Sequence, residues 1–206
     1  MLFRMLLSLC MGFSSAAGMA QSCGWSRIDH RVDYDASGAW NTDVYRSIAT
    51  AFTVAQVGAA LWEGSESRFG RTLWQGVDAQ IIASVTAAVG KRVFTRVRPI
   101  DADNPCLWFE GGSNYSFPSR ESAGMAALVT PYILEYASEQ PAVYALALLP
   151  LYIGSARIKN QAHWQTDVLA GWTIGALSGW FAHRQDIPLM IQLLPDGFAM
   201  GFKTRF

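Results

Sequence analysis

The stretch "ARIKNQAHWQTDVLAG", residues 156–171, sets three chemically active side chains in an otherwise apolar chain. Arg157 stands six residues before His163, and Asp167 stands four after it. Apolar residues run up to this stretch and resume beyond it, so one helix should end near Asn160 and the next begin at Asp167. His163 then lies in the turn between two helix ends. An arginine can grip a phosphate with two parallel N–H bonds. A carboxylate can fix one imidazole nitrogen and leave the other free to attack. The bland alternative is a buried histidine capped by an acid.

Working outward, the other apolar segments also read as helices: Val44–Trp62, Arg71–Val97, Glu121–Ser138, Pro141–Asn160 and Asp167–His183. Their stops are "EGSES", Pro99 and "SEQP", each rich in residues that end helices. Alternating patterns are nearly absent until "LMIQLLPDGFAMGFKTRF" at the end, which predicts two short strands around Pro195-Asp196-Gly197. The expected fold is therefore an all-α bundle with a short C-terminal β-hairpin, in one domain covering 21–206 with its core at about 45–185. No repeat and no linker divides it.

The chain has 206 residues, room for one sizeable core. It carries 16 basic and 16 acidic residues, so no net field points to a nucleic-acid partner. Hydrophobic residues make up 51% and charged residues 16%, apolar for a soluble protein. Either the helices bury this surface in a core, or some of it meets lipid. No segment offers about 18 uninterrupted apolar residues, which favours buried core helices. Aromatic side chains with polar tips are compatible with contact at a membrane surface.

The first residues, "MLFRMLLSLCMGFSSAAGMAQ", have a basic start at Arg4, a short apolar run and small residues before Gln21. That is the layout of an export signal covering residues 1–20. The expected location is the periplasm, soluble or membrane-associated. Cleavage removes Cys10 and leaves Cys23 and Cys106, which suits one disulfide between them; two unrelated thiols are the alternative. Neither cysteine has ligand-spaced partners for a metal.

Two more clusters complete the set. In "KRVFTRVRP", Lys91 and Arg98 are seven residues apart, close to two helical turns, so both should share a face before Pro99 ends the helix. In "FPSRES", Ser119 can cap a helix whose free N–H groups favour an anion, with Arg120 and Glu121 following at once. Alone, the first could be a basic helix end and the second an ordinary cap.

In series, the three clusters resemble the type 2 phosphatidic acid phosphatase family, which shares its fold with bacterial acid phosphatases and vanadium haloperoxidases. The family pattern is K-x-x-x-x-x-x-R-P, then P-S-G-H, then S-R-x-x-x-x-x-H-x-x-x-D. The first block is met by Lys91, Arg98 and Pro99. The third is met by Arg157, His163 and Asp167, with Ser155-Ala156-Arg157 replacing an adjacent Ser-Arg. In the middle block Pro118 and Ser119 match, but Arg120 and Glu121 occupy the Gly and His positions.

The resemblance implies that Lys91, Arg98, Ser119, Arg157 and the backbone N–H groups after Ser119 bind phosphate oxygens, and Arg120, next to Ser119, is expected to bind phosphate with them. It implies that His163 attacks phosphorus and that Asp167 orients it. No metal or other cofactor is implied, because the cations stabilise the transferring group. Glu121 then replaces the family's acid–base histidine, better suited as base than as acid. The implied function is hydrolysis of phosphorylated envelope lipids, either lipid phosphates or isoprenoid diphosphates, through a phosphohistidine. Alternatives are a phosphotransferase on the same scaffold, a vanadate-holding haloperoxidase, or a phospholipid-binding protein without turnover.

Overall fold

The computed structural model describes residues 27–185 and the backbone of two strands, Met190–Leu194 and Gly197–Gly201. The expected export signal and Cys23 lie outside these residues. After a 3-10 turn at Gly38–Trp40 come α1 (Thr42–Glu63), α2 (Arg68–Phe94) and α3 (Arg120–Tyr136). A 3-10 segment, Pro141–Ala147, leads into α4 (Leu148–Lys159), and α5 is Gln165–His183. The two strands, β1 and β2, pair antiparallel with Met190 opposite Gly201.

Local chemistry sets the helix starts. Asn41 accepts a hydrogen bond from the Asp43 N–H at the head of α1, and Ser67 accepts one from the Gly70 N–H at the head of α2. Gly64 ends α1 with φ of 73°, a left-handed backbone that glycine adopts freely. At the far end of α2, Thr95 turns left-handed at φ 35° and the helix stops at Phe94. This corrects the expectation of a helix to Val97. Arg98 does not share a helix face with Lys91; it follows in the irregular crossover from Thr95 to Ser119.

Helix α3 is the centre, packed chiefly on α5 and α2. Its contact with α5 is nearly backbone to backbone. Gly171, Gly175 and Gly179 recur every four residues, one face of α5. A Cβ on Gly175 would sit 2.3 Å from the Ala123 carbonyl oxygen, and one on Gly171 would sit 2.5 Å from the Ser119 carbonyl oxygen. Ala79, Ala83, Ala123, Ala127 and Ala182 continue this small-residue core. The close approach lets the Ser119 N–H donate to the Asp167 carbonyl at 3.0 Å, which joins the heads of α3 and α5. A second core collects Tyr45, Met125, Leu128 and Ile153.

Buried core helices are the expectation from sequence, and here the structure differs. Ile81, Val85, Val89 and Val93 form an exposed stripe on one face of α2, and Trp62 at the end of α1 is 92% exposed. Small residues fill the contact of α3 with α2 and α5, and many larger apolar residues on the outer faces stay exposed. Pro141–Lys159 is long and apolar enough to cross a membrane, with hydropathy of 1.3 and 28% of that window buried.

The segment ahead of α1 packs along the α4–α5 turn. Asp35 N–H donates to the Lys159 carbonyl, Gln161 Nε2 donates to the Val32 carbonyl, and His30 and Gln165 exchange two hydrogen bonds. These contacts bring residues well before position 45 against the turn that holds His163.

Candidate active site

The α4–α5 turn presents His163, which is buried to 1% exposure. Its Nε2 lies 3.8 Å from a Glu121 carboxylate oxygen, and its Nδ1 lies 3.6 Å from an Asp167 carboxylate oxygen. Neither ring nitrogen makes a hydrogen bond among the described residues. These separations are too long for hydrogen bonds and suit charge attraction. The imidazole therefore lies between two carboxylates, one at each nitrogen.

Each carboxylate has an arginine. Arg157, on the last turn of α4, reaches Glu121 at 3.7 Å and hydrogen-bonds the Tyr45 hydroxyl. Arg96 contacts Asp167 at 2.6 Å, and both side chains are fully buried. Asp167 sits at N3 of α5, where one oxygen accepts from the Trp164 N–H at 2.9 Å and from the Ser116 hydroxyl. Burial acts to raise the Asp167 carboxyl, but the His163 ring, the Arg96 guanidinium and the Ser116 hydroxyl outweigh it and hold the group below its ordinary value.

Burial also acts to raise Glu121. His163, Arg157 and Glu121's own backbone amide outweigh it, and the carboxyl stays well below the usual carboxylate range. Glu121 is thus an anion near neutrality, able to accept a proton and not to supply one. Lys91, near the end of α2, donates to the Tyr115 carbonyl at 2.6 Å. Burial lowers it to about 8, with Glu121 opposing and Arg98 assisting the shift. Glu121, Arg98, Asp167 and Arg157 all act electrostatically on Lys91. The Nε atoms of Arg98 and Arg157 are buried and make no hydrogen bond among the described residues.

Ser119 caps α3, accepting from the Ser122 N–H, while its hydroxyl is 2.8 Å from that of Ser122. Arg120 is exposed at the first position of α3, and no hydrogen bond or ion pair joins it to this cluster among the described residues. Cys106 follows Pro105, whose carbonyl accepts from Arg96 at 2.7 Å; its expected partner lies outside the described residues.

Sequence reasoning misses Arg96, Asp29, Thr166 and Tyr45. Arg96 lies inside "KRVFTRVRP", but a helical reading of that stretch hides it among ordinary basic residues. Its flat guanidinium also lies 4.3 Å over the Trp108 ring. Asp29 and Tyr45 carry no local signal, because their partners are far away in the chain.

A buried histidine flanked by a carboxylate on each side, with arginine and lysine nearby, has the residue types that phosphoryl transfer uses, and no group of three or more His, Cys, Asp or Glu that could hold a metal ion occurs among the described residues. The sequence model of the PAP2 superfamily matches residues 73–189, more than half of the chain, and the chain belongs to that superfamily. It is 30% identical over 120 residues to a lipid A 1-phosphatase of Porphyromonas gingivalis, covering 57% of this chain and 24% of that one. With a lipid A 1-phosphatase of Rhizobium johnstonii it shares 28% identity over 167 residues, 76% of this chain and 62% of that one. An undecaprenyl-diphosphatase of Sulfolobus acidocaldarius is 30% identical over 99 residues, 47% of this chain and 46% of that one. The chain thus spans from about a quarter to under two thirds of these relatives' lengths. The crystal structure of Aquifex aeolicus LpxE aligns with 66% of this chain and 83% of that one, at 21% identity and a TM-score of 0.46.

Proposed function

We propose that this protein hydrolyses a phosphorylated lipid of the cell envelope through a phosphohistidine at His163, without a metal. The observation that carries the reading is the imidazole placed between Glu121 and Asp167 with Arg157 alongside. Lys91, Arg98 and Arg157 hold the phosphoryl oxygens, and Ser119 fixes the head of α3 beside them. His163 Nε2 attacks phosphorus in line, forming the N–P bond as the bond to the leaving oxygen breaks. Water then attacks the phosphohistidine, Glu121 takes its proton, and the N–P electron pair returns to the ring.

Because Glu121 is ionised, it cannot protonate a leaving group in the first step. Substrates whose leaving group is already a stable anion are favoured, and a diphosphate supplies one. Isoprenoid diphosphates and the anomeric phosphate of a glycolipid therefore rank above simple alkyl monoesters. That relatives include a lipid A 1-phosphatase and an undecaprenyl-diphosphatase supports both lipid classes. The exposed apolar stripe of α2 and the apolar Pro141–Lys159 segment support membrane association, with acyl chains beside the bundle.

The test is phosphate release from lipid mono- and diphosphates by purified protein in detergent, with and without a chelator. Release from a diphosphate lipid that persists with chelator and is lost in His163→Ala is the expected outcome. Tight phosphate binding with no release from any substrate would indicate a binding protein instead.

A further inference from the structure

A histidine between two carboxylates has a choice. A neutral imidazole carries one proton, and the nitrogen that carries it cannot attack. Both carboxylates are matched by an arginine: Glu121 by Arg157 at 3.7 Å, and Asp167 by Arg96 at 2.6 Å. The closer arginine screens Asp167 more, which by itself would favour the proton at Nε2, facing Glu121, and disable the nucleophile.

Asp29 breaks that symmetry. It is fully buried, and its Oδ2 lies 2.6 Å from the opposite end of the Arg96 guanidinium. Its Oδ1 accepts from the Thr166 N–H at 2.8 Å, and its Oδ2 accepts from the Thr166 hydroxyl at 2.6 Å. That hydroxyl in turn accepts from Arg96 at 2.9 Å. Asp29, Arg96 and Asp167 thus form a closed buried chain with one charge left over, and it is negative. The other charged groups around the ring are Lys91 of α2, Arg98 of the crossover, Glu121 of α3 and Arg157 of α4, and none of them touches Asp29 or Arg96 among the described residues. Asp29 also lies outside residues 73–189, the stretch matched by the superfamily.

We propose that Asp29 is a positioning residue that neutralises Arg96, so that Asp167 holds the ring proton on Nδ1 of His163 and leaves Nε2 bare. The inference rests on Nε2 being the attacking atom, as in the reaction proposed above, but its test does not require turnover. Asp29→Asn keeps the shape and removes the charge, leaving Arg96 and Asp167 as a neutral pair.

Full-length protein labelled with 15N-histidine, in detergent at a pH of about 9, where an ordinary imidazole is neutral, reports the tautomer of His163 from its two ring nitrogen shifts. His163→Gln assigns the signals. The ratio of the Nδ1–H to the Nε2–H form should fall roughly threefold or more in Asp29→Asn. Thr166→Val, which removes a hydrogen bond and no charge, should leave the ratio near that of the parent. Asp29→Asn/Arg96→Met removes both charges and restores the single negative one, so it should return the ratio toward the parent value. If Asp29→Asn does not fold, the double variant carries the test, and a fall in its ratio as large as threefold would overturn the proposal. An unchanged ratio in folded Asp29→Asn overturns it whatever the activity. A shifted ratio in a protein that hydrolyses no substrate would uphold the positioning role and remove the catalytic reading instead.

Discussion

Replacing Glu121 by Gln separates the two halves of the proposed reaction. The Glu121 carboxylate bridges Arg157 at 3.7 Å and His163 at 3.8 Å, with its side chain 25% exposed. Gln preserves the shape and removes both the charge and the proton acceptor. The first step uses His163 as nucleophile and asks nothing of Glu121, so phosphorylation should stay within about tenfold of the parent. The second step loses its general base; because the Glu121 carboxyl is held well below the usual range it is a weak base, so the loss should fall at the low end of such contributions, about 10²-fold. Removing an anion that sits beside Arg157 also lifts repulsion from an incoming phosphate, so substrate should bind more tightly. Rapid-quench experiments with 32P-labelled diphosphate lipid should therefore show a burst near one equivalent of acid-labile phosphoprotein, followed by slow turnover. Steady turnover equal to the parent's, with no burst, would show that the carboxylate is only a charge at the head of α3.

Other expectations follow from the same geometry. Arg157→Lys replaces a fork that spans Tyr45 and Glu121 by a single point charge, and should cost about 2–4 kcal/mol of transition-state stabilisation measured as kcat/KM. Lys91 loses its charge as pH rises through about 8, and bound phosphate should hold the proton. Binding then takes up a proton, so phosphate affinity measured by calorimetry should fall by up to about tenfold per pH unit above 8, and Lys91→Met should abolish that slope. Mature protein recovered from the periplasm should begin near Gln21 and contain no free thiol on alkylation, and Cys106→Ser should lower stability by about 2–5 kcal/mol in chemical denaturation.

The helices of the bundle and the grouping of the candidate site residues were legible in the sequence for particular physical reasons. Helices α3, α4 and α5 are marked by long apolar runs with recognisable stops, and the His163 turn is marked because its charged residues interrupt such runs. Lys91, Arg98, Glu121, Arg157, His163 and Asp167 surround one region because short segments bring the helix ends together. What could not be read is what depends on distant partners. The left-handed Thr95 that ends α2 depends on its crossover, where its hydroxyl accepts from the Gly111 N–H at 3.0 Å. Arg120 was expected beside phosphate because it adjoins Ser119, yet adjacent positions on a helix point about a quarter-turn apart and it faces outward. The inward placement of small residues and outward placement of Ile81, Val85 and Val89 also defeats composition, since the same apolar content serves a core or a lipid-facing surface.

The charge balance of the pocket gives the Glu121 position its wider meaning. Burial chiefly lowers Lys91, and the cations Arg98 and Arg157 add to that lowering. Glu121, and more weakly Asp167, work against that lowering and favour the charged form of Lys91. A histidine there would supply a proton to the leaving group but no such support. In the proposed reaction the carboxylate then exchanges leaving-group protonation for support of the Lys91 charge before substrate arrives. If that exchange is real, Glu121→His should speed hydrolysis of alkyl monoesters relative to diphosphates and move the Lys91-dependent loss of phosphate affinity to lower pH. A Glu121→His variant whose affinity profile matches the parent's would show that the carboxylate does not sustain the Lys91 charge.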